Sequence, residues 1–281
     1  MHSMVELTSR KREVISMSNQ ILSLPMKSDC AQCCGLCCTA LYFSKIDGFP
    51  NDKEAGTPCV HLQHNFQCNI HSQLEKKGLK GCIGYDCLGA GQQVTQKIYH
   101  HLNWQSHPEI REEMFDVFTI VFQLHQMYYY LQEAFTITCS SSIKEKIINL
   151  LNENQKVCNG CPTDILVYPI DTYRKQTNSI LQLVISQHVK GNKKLPSMLG
   201  KSFVHTQFHH YDFSFQLMIA ADFEGCSFHE CILLGADTRD ANFQNADLST
   251  ARFLTQHQVN CAKGNLKTKL PAHLDAPVTW K

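Results

Sequence analysis

Between Met114 and Leu131 apolar side chains recur at steps of three and four residues. Phe115, Phe118, Phe122, His125 and Tyr129 form one series, and Met114, Val117, Val121, Leu124, Tyr128 and Leu131 run beside it. This spacing predicts a long helix whose apolar face is wide enough to pack against several neighbours. Ser106 and Glu109 stand at the capping-box separation ahead of it, with Pro108 tolerated in a first turn. Core packing accounts for the aromatic band without a ligand pocket, and His125 reads as a satisfied core histidine. A second helix is expected over Ser142–Lys156, with Ile143, Ile147, Leu150 and Leu151 in one stripe. A third is expected over Asp171–Lys190, with Tyr173, Ile180, Leu181, Val184 and Ile185 facing inward. These elements make residues 93–190 a short bundle or helical spacer. The glycine, lysine and proline run over 191–200 then reads as a linker.

Past residue 200 the period changes to five. Every fifth position gives Phe203, Phe208, Phe213, Met218, Phe223, Phe228, Leu233, Thr238, Phe243, Leu248 and Phe253, large and apolar except for Thr238. Two residues earlier stands a small column: Ala221, Cys226, Cys231, Ala236, Ala241, Ala246 and Ala251. Neither a helix nor a strand has this period, so the chain must turn a corner in each pentapeptide and close a coil in four. Lys201, Thr206, Tyr211 and Gln216 break the small column, which makes the first coil irregular, and Thr238 marks a further irregular corner. Cys226 and Cys231, in the small inward column, read as structural thiols. After Thr255 the repeat stops, and Gln256–Lys263 is expected to form a short polar helix capping the end.

Segments such as Ala221-Asp222-Phe223, Ala241-Asn242-Phe243 and Ala246-Asp247-Leu248 resemble the signature of pentapeptide-repeat proteins. That resemblance implies a right-handed quadrilateral β-helix over 201–255, with a cap and tail over 256–281. Some members of that family mimic duplex DNA, which this stretch is poorly equipped to do. Three basic residues (Lys201, Arg239, Arg252) against seven acidic ones leave a net charge of only −4 over 201–255. Eleven pentapeptides at four per coil rise roughly 13 Å, a few base pairs of length.

Nine of the fifteen cysteines fall between Cys30 and Cys87, in a block with few other apolar residues and many turn signals. A module so poor in core-forming side chains needs a staple. Thiols stand adjacent or three residues apart in Cys30-Ala31-Gln32-Cys33-Cys34-Gly35-Leu36-Cys37-Cys38. They return in Cys59-Val60-His61, Cys68-Asn69-Ile70-His71 and Cys82-Ile83-Gly84-Tyr85-Asp86-Cys87. Short knuckles that aim pairs of sulfurs at one point suit a tetrahedral thiolate ion or an iron-sulfur cluster. No secretory signal is apparent and the cysteine count is odd, so metal thiolates in the cytoplasm are expected over disulfides.

This block is similar to the CxxCxxxCC family of zinc- or iron-chelating domains. The resemblance implies Cys30, Cys33, Cys37, Cys38, Cys59, Cys68, Cys82 and Cys87 as metal ligands, with Cys34 excluded as a variable slot and His61 and His71 as possible additions. Two separate four-sulfur ions, a binuclear cluster, and an iron-sulfur cluster with a structural zinc all remain open. From Cys30 onward the order of parts resembles a bacterial family of pentapeptide-repeat proteins with an N-terminal cysteine cluster.

The remaining signals add little. Cys158-Asn159-Gly160-Cys161 lies between predicted helices with no surrounding βαβ pattern, and Gly89-Ala90-Gly91 serves as a turn. The histidine pairs His100-His101 and His209-His210 are expected on the surface. With 26 basic and 25 acidic residues, binding of nucleic acid by bulk charge is not expected, and no apolar run is long enough to span a bilayer. No catalytic constellation or cofactor loop is visible. The expected fold class is a multi-part α+β chain: a helical lead-in over 1–29, a cysteine-rich metal module over 30–92, the helical bundle or spacer, the linker, then the short β-helix and its cap. The expected function is a non-enzymatic metal-binding scaffold whose repeat faces bind a protein partner or a second copy. An iron-sulfur redox enzyme is the main alternative, and a DNA-mimicking topoisomerase partner is disfavoured.

Overall fold

The computed structural model describes residues 26–189 and 197–280. The lead-in expected over 1–29 therefore lies outside the described residues up to residue 25, as does most of the linker.

The wide apolar face of the central segment does form one long helix, here the fourth. Short helices α1 (Leu36–Ala40), α2 (Lys80–Gly84) and α3 (Ala90–Gln92) precede it, and α3 runs on into a π-helical turn over Gln93–Ile98. Helix α4 spans Arg111–Ile137 and buries Met114, Phe118, Val121, Leu124 and Leu131. It packs against α5 (Ser141–Cys158), α6 (Pro162–Leu166) and α7 (Ile170–His188). Ser140 caps α5, its Oγ accepting from the Ile143 N–H.

The start of α4 differs from expectation. The Asn103 carboxamide, and not a Ser106 box, organises the approach by accepting from the N–H groups of Gln105 and Ser106. A 3₁₀ turn over Pro108–Ile110 follows, and α4 begins at Arg111 with no side-chain cap, Glu112 and Glu113 complementing its dipole. His125 lies against the core with Nδ1 2.7 Å from the Leu88 carbonyl, as a satisfied histidine should. Among the described residues no helix is long and apolar enough to cross a membrane.

The expected fold class, an α+β chain ending in a right-handed quadrilateral β-helix, is corrected by this architecture. Most regular structure is helical. The only strands among the described residues are β1 (Gln207–His209) and β2 (Ser227–His229), paired in parallel with Phe208 opposite Phe228. No β-helix is present among the described residues, and the pairing elsewhere in the repeats is by isolated bridges, such as Ser202 with Asp222 and Asp222 with Asn242.

The corners explain why. Every fifth residue from Gly200 to Asn245 has positive φ, including His205, His210, Phe215, Ala220, Glu230 and Asp240. A left-handed residue costs a side-chain-bearing position about 1 kcal/mol and breaks an extended segment before it can lengthen. Bonds such as Cys226 N–H to Phe223 O (3.1 Å) close each turn, leaving one or two residues per pentapeptide to pair with the next tier.

The packing of the repeats nonetheless follows the five-residue columns. Bridged residues lie twenty apart, so a side of one tier sits over the same side of the next. Phe203, Phe223 and Phe243 stack with centroids 5.4 Å apart at each step. The small column from Ala221 to Ala251 is buried, including Cys226 and Cys231. Thr238 is buried where a large apolar residue was expected, because its hydroxyl donates to the Gln258 carbonyl at 2.7 Å.

That carbonyl belongs to α8 (Gln256–Cys261), which covers the C-terminal end of the stack and opens with a capping box of Thr255 and Gln258. The tail adds bridges from Lys263 and Lys269 to Asn242 and Asp247, and buries Trp280 with its indole donating to the Ala262 carbonyl. The repeats also dock on the helices. Ile232, Leu234 and Phe253 join the helical core, Tyr129 donates to the Leu254 carbonyl, and Lys80 pairs with Asp240.

Candidate metal centre

The cysteine block has little regular structure, and its local geometry is set by short turns that aim backbone N–H groups at sulfur. Asp29 caps a 3₁₀ turn over Cys30–Gln32, its Oδ1 accepting from Ala31. Gly35 then adopts φ +72° ahead of α1, and the N–H groups of Gly35 and Leu36 turn back onto the Cys33 thiol. A methyl group at Gly35 would also strike Leu62, at 2.9 Å. The N–H groups of His61 and Leu62 serve the Cys59 sulfur in the same way, and that of Ile70 serves Cys68. Donors arranged like this favour thiolate over thiol. The Cys59 N–H donates to the Cys38 carbonyl, drawing the second knuckle onto α1.

Helix α1 carries Cys37 and Cys38 side by side with their sulfurs 3.9 Å apart. Consecutive helical residues diverge by about 100° around the axis, so the two thiols face different neighbours. Cys37 interacts electrostatically with Cys38, Cys33 and Cys87, and Cys30 with Cys87, Cys38 and Cys68. Cys38 interacts with Cys59, Cys68 and Cys82, which interact with one another. Cys33 and Cys87 both crowd Gly91, where a methyl group would stand 2.7 Å from one sulfur and 3.8 Å from the other. Gly91 is thus more than part of a turn: it lies within α3 and leaves room for the sulfurs.

Burial dominates the electrostatics. It pushes the Cys30 thiol up to about 11 and the Cys33 and Cys82 thiols up to about 12, and it raises Cys59 and Cys68. Within the adjacent pair, the contact with Cys38 and burial hold Cys37 protonated, while the contact with Cys37 and the nearby Lys53 charge lower Cys38. Lys53 is fixed by four carbonyls, those of Thr39, Leu41, Glu54 and Thr57, and its ammonium lies 4.5 Å from the Phe43 ring centroid. It therefore supplies a positive charge beside Cys38 and Cys59 that cysteine spacing alone did not reveal.

Cys34 stands apart, buried against Met114 with its N–H and thiol meeting the Thr95 hydroxyl. Cys158 is buried at the end of α5 and Cys161 is exposed, so that CxxC spans a helix end. Among the described residues no three His, Cys, Asp or Glu side chains stand in closed ligating geometry. The donor chemistry nevertheless fits a thiophilic ion: eight thiols drawn into one region, backbone N–H groups directed at three of them, and a fixed cation beside the group.

Comparisons with known proteins add relatives but no activity. The family of pentapeptide repeats matches residues 218–253 with eight copies. A Bacillus subtilis protein named "Uncharacterized protein YybG" is 38% identical over 265 residues, covering 91% of this chain and 95% of that protein. A UPF0153 protein of Pseudomonas aeruginosa is 31% identical over 77 residues, 27% of this chain and 92% of that protein. The UPF0153 protein YeiW of Escherichia coli is 44% identical over 43 residues, 15% of this chain and 51% of that protein. No solved structure matches the chain.

Proposed function

The chain belongs to the family of the Bacillus subtilis protein YybG, and from that premise we propose that it is a metal-binding scaffold acting in the cytoplasm. Cys30, Cys33, Cys37 and Cys87 would hold one zinc or iron ion, and Cys38, Cys59, Cys68 and Cys82 a second. A closed four-sulfur ion supplies folding energy to a segment with little apolar core. What supports this reading is the gathering of the thiols around α1, where Cys37 meets Cys33 and Cys87, Cys38 meets Cys59, Cys68 and Cys82, and Cys30 interacts with members of both groups.

The repeats supply the docking surface. Their first tier has no tier before it among the described residues and exposes Leu199, Val204, Phe215 and Leu217. The opposite end is covered by α8 and the tail. This first tier, with no cover among the described residues, is the surface proposed for a protein partner or a second copy.

Replacing Cys30 and Cys33 with alanine tests the scaffold. The expected result is loss of about one ion per chain together with loss of ordered structure near residues 26–92. Unchanged metal content and unchanged folding would overturn it.

A further inference from the structure

His257 and Cys261 stand one helical turn apart on α8, so they share the face that packs on α2. The Nδ1 of His257 is 2.6 Å from the Gly84 carbonyl oxygen, and its Nε2 is 3.9 Å from the Cys261 sulfur. A carbonyl only accepts, so Nδ1 carries the ring proton and the neutral imidazole turns its lone pair, at Nε2, toward the thiol. The sulfur rests against the backbone of α2, where a methyl group at Gly84 would stand 2.4 Å from it. Gln258, in the same turn of α8, donates to the carbonyls of Leu233 and Ala236 and fixes the pair in place.

Burial, then the Asp237 charge, push the Cys261 thiol up to about 11, so at neutral pH it needs a base to become a nucleophile. His257 stands where that base must be. Unlike Cys226 and Cys231, which are buried in the small column, Cys261 is half-buried, and with His257 it lines a cavity of about 550 Å³ between α4, α8 and the repeats. Arg239 in the cavity wall is held by both carboxylate oxygens of Asp237, which leaves Asp47 and Asp86 to give the cavity a negative sign. We propose that Cys261, with His257 as its base, is a covalent acceptor site for small cationic disulfides.

In the step, Nε2 of His257 takes the thiol proton as the Cys261 sulfur bonds to one sulfur of the disulfide. The S–S bond of the reagent breaks, its leaving sulfur takes the electron pair, and His257 passes the proton to that sulfur. Cys261 is oxidised to a mixed disulfide and the other half of the reagent is reduced to a free thiol, so the disulfide is the whole oxidant. The site is separate from the proposed thiolate centre and does not depend on it.

The test treats the full chain, purified without air, with cystamine or with dithiodipropionate, disulfides of similar size and opposite charge, and follows each cysteine by peptide mass spectrometry. Cys139, an exposed thiol between α4 and α5, is the internal reference. Cystamine is expected to modify Cys261 about tenfold faster than Cys139. With dithiodipropionate that advantage should fall about tenfold, because the cavity repels an anion. His257→Gln should slow Cys261 about tenfold and leave Cys139 unchanged. In the wild type, a Cys261 rate with cystamine at or below that of Cys139 overturns the site, whether or not His257→Gln folds. The same advantage with both reagents overturns the preference for cations. An unchanged Cys261 rate in a folded His257→Gln protein overturns the role of His257.

Discussion

The cysteine block and the pentapeptide repeats both lack long regular elements, yet they meet that shortage differently. In the repeats, backbone pairing recurs every twenty residues and each tier adds a phenylalanine to a stack already 5.4 Å away. Stability there is intrinsic and roughly additive over tiers. In the cysteine block the backbone makes only scattered bridges, Phe43 with Lys53 and Leu62 with Cys68, and carbonyls converge on one lysine. Small side chains serve opposite ends in the two regions: Cys226 and Cys231 fill the interior of the repeats, whereas the sulfurs of Cys37 and Cys38 face other sulfurs. A shared residue type therefore does not imply a shared role; its neighbours decide.

Metal removal should split the two regions most sharply. Under reducing chelation, amide protection is expected to vanish through residues 27–87 and persist through 221–251, as read by hydrogen exchange. Equal loss in both regions would break the contrast. The reverse perturbation is Phe223→Ala, which removes the middle ring of the stack. A loss of about 3–5 kcal/mol is expected in denaturant unfolding of the repeats, with metal content unchanged.

Lys53→Met removes the cation held by four carbonyls and should cost the cysteine block about 1.5–3 kcal/mol, because carbonyls that served a charge lose their donor. It should also weaken metal binding. Buried thiols near 12, as at Cys33 and Cys82, must release protons to bind a metal, so affinity should climb as pH rises from about 6 to 8. Titration with proton counting checks this.

The smallest effect expected is at Asp237, whose carboxyl is held below its usual range by the Arg239 guanidinium. That stabilisation is present above the unfolded carboxylate pKa of about 3.9 and is lost as pH falls through the lower folded value. Asp237→Asn should therefore lower stability by at most about 1 kcal/mol at neutral pH, an effect that fades below about pH 4 and leaves acid unfolding less steep.

Much of this was legible in the sequence because it depends on spacing. The three long helices, the small column from Ala221 to Ala251 and the packed role of His125 follow from local periodicity. The β-helix expectation failed because the five-residue period records where residues turn inward and not how much backbone stays extended between corners. The Ser106 box did not form, because Asn103 Oδ1 takes the Ser106 N–H that the Glu109 side chain would have to reach. Lys53 and Gly91 were missed beside the cysteines because their placement comes from three-dimensional approach: a lysine in a turn and a glycine pair give no spacing signal. The glycine at 91 could have been suspected from its place four residues after Cys87.

Elemental analysis of the full chain, purified without air, with the absorbance spectrum of the same sample, tests the central claim most directly. The account predicts about two zinc or iron ions per chain, falling to about one when Cys30 and Cys33 are both alanine. A folded chain with residues 27–87 protected from exchange and well under one ion per chain would contradict it.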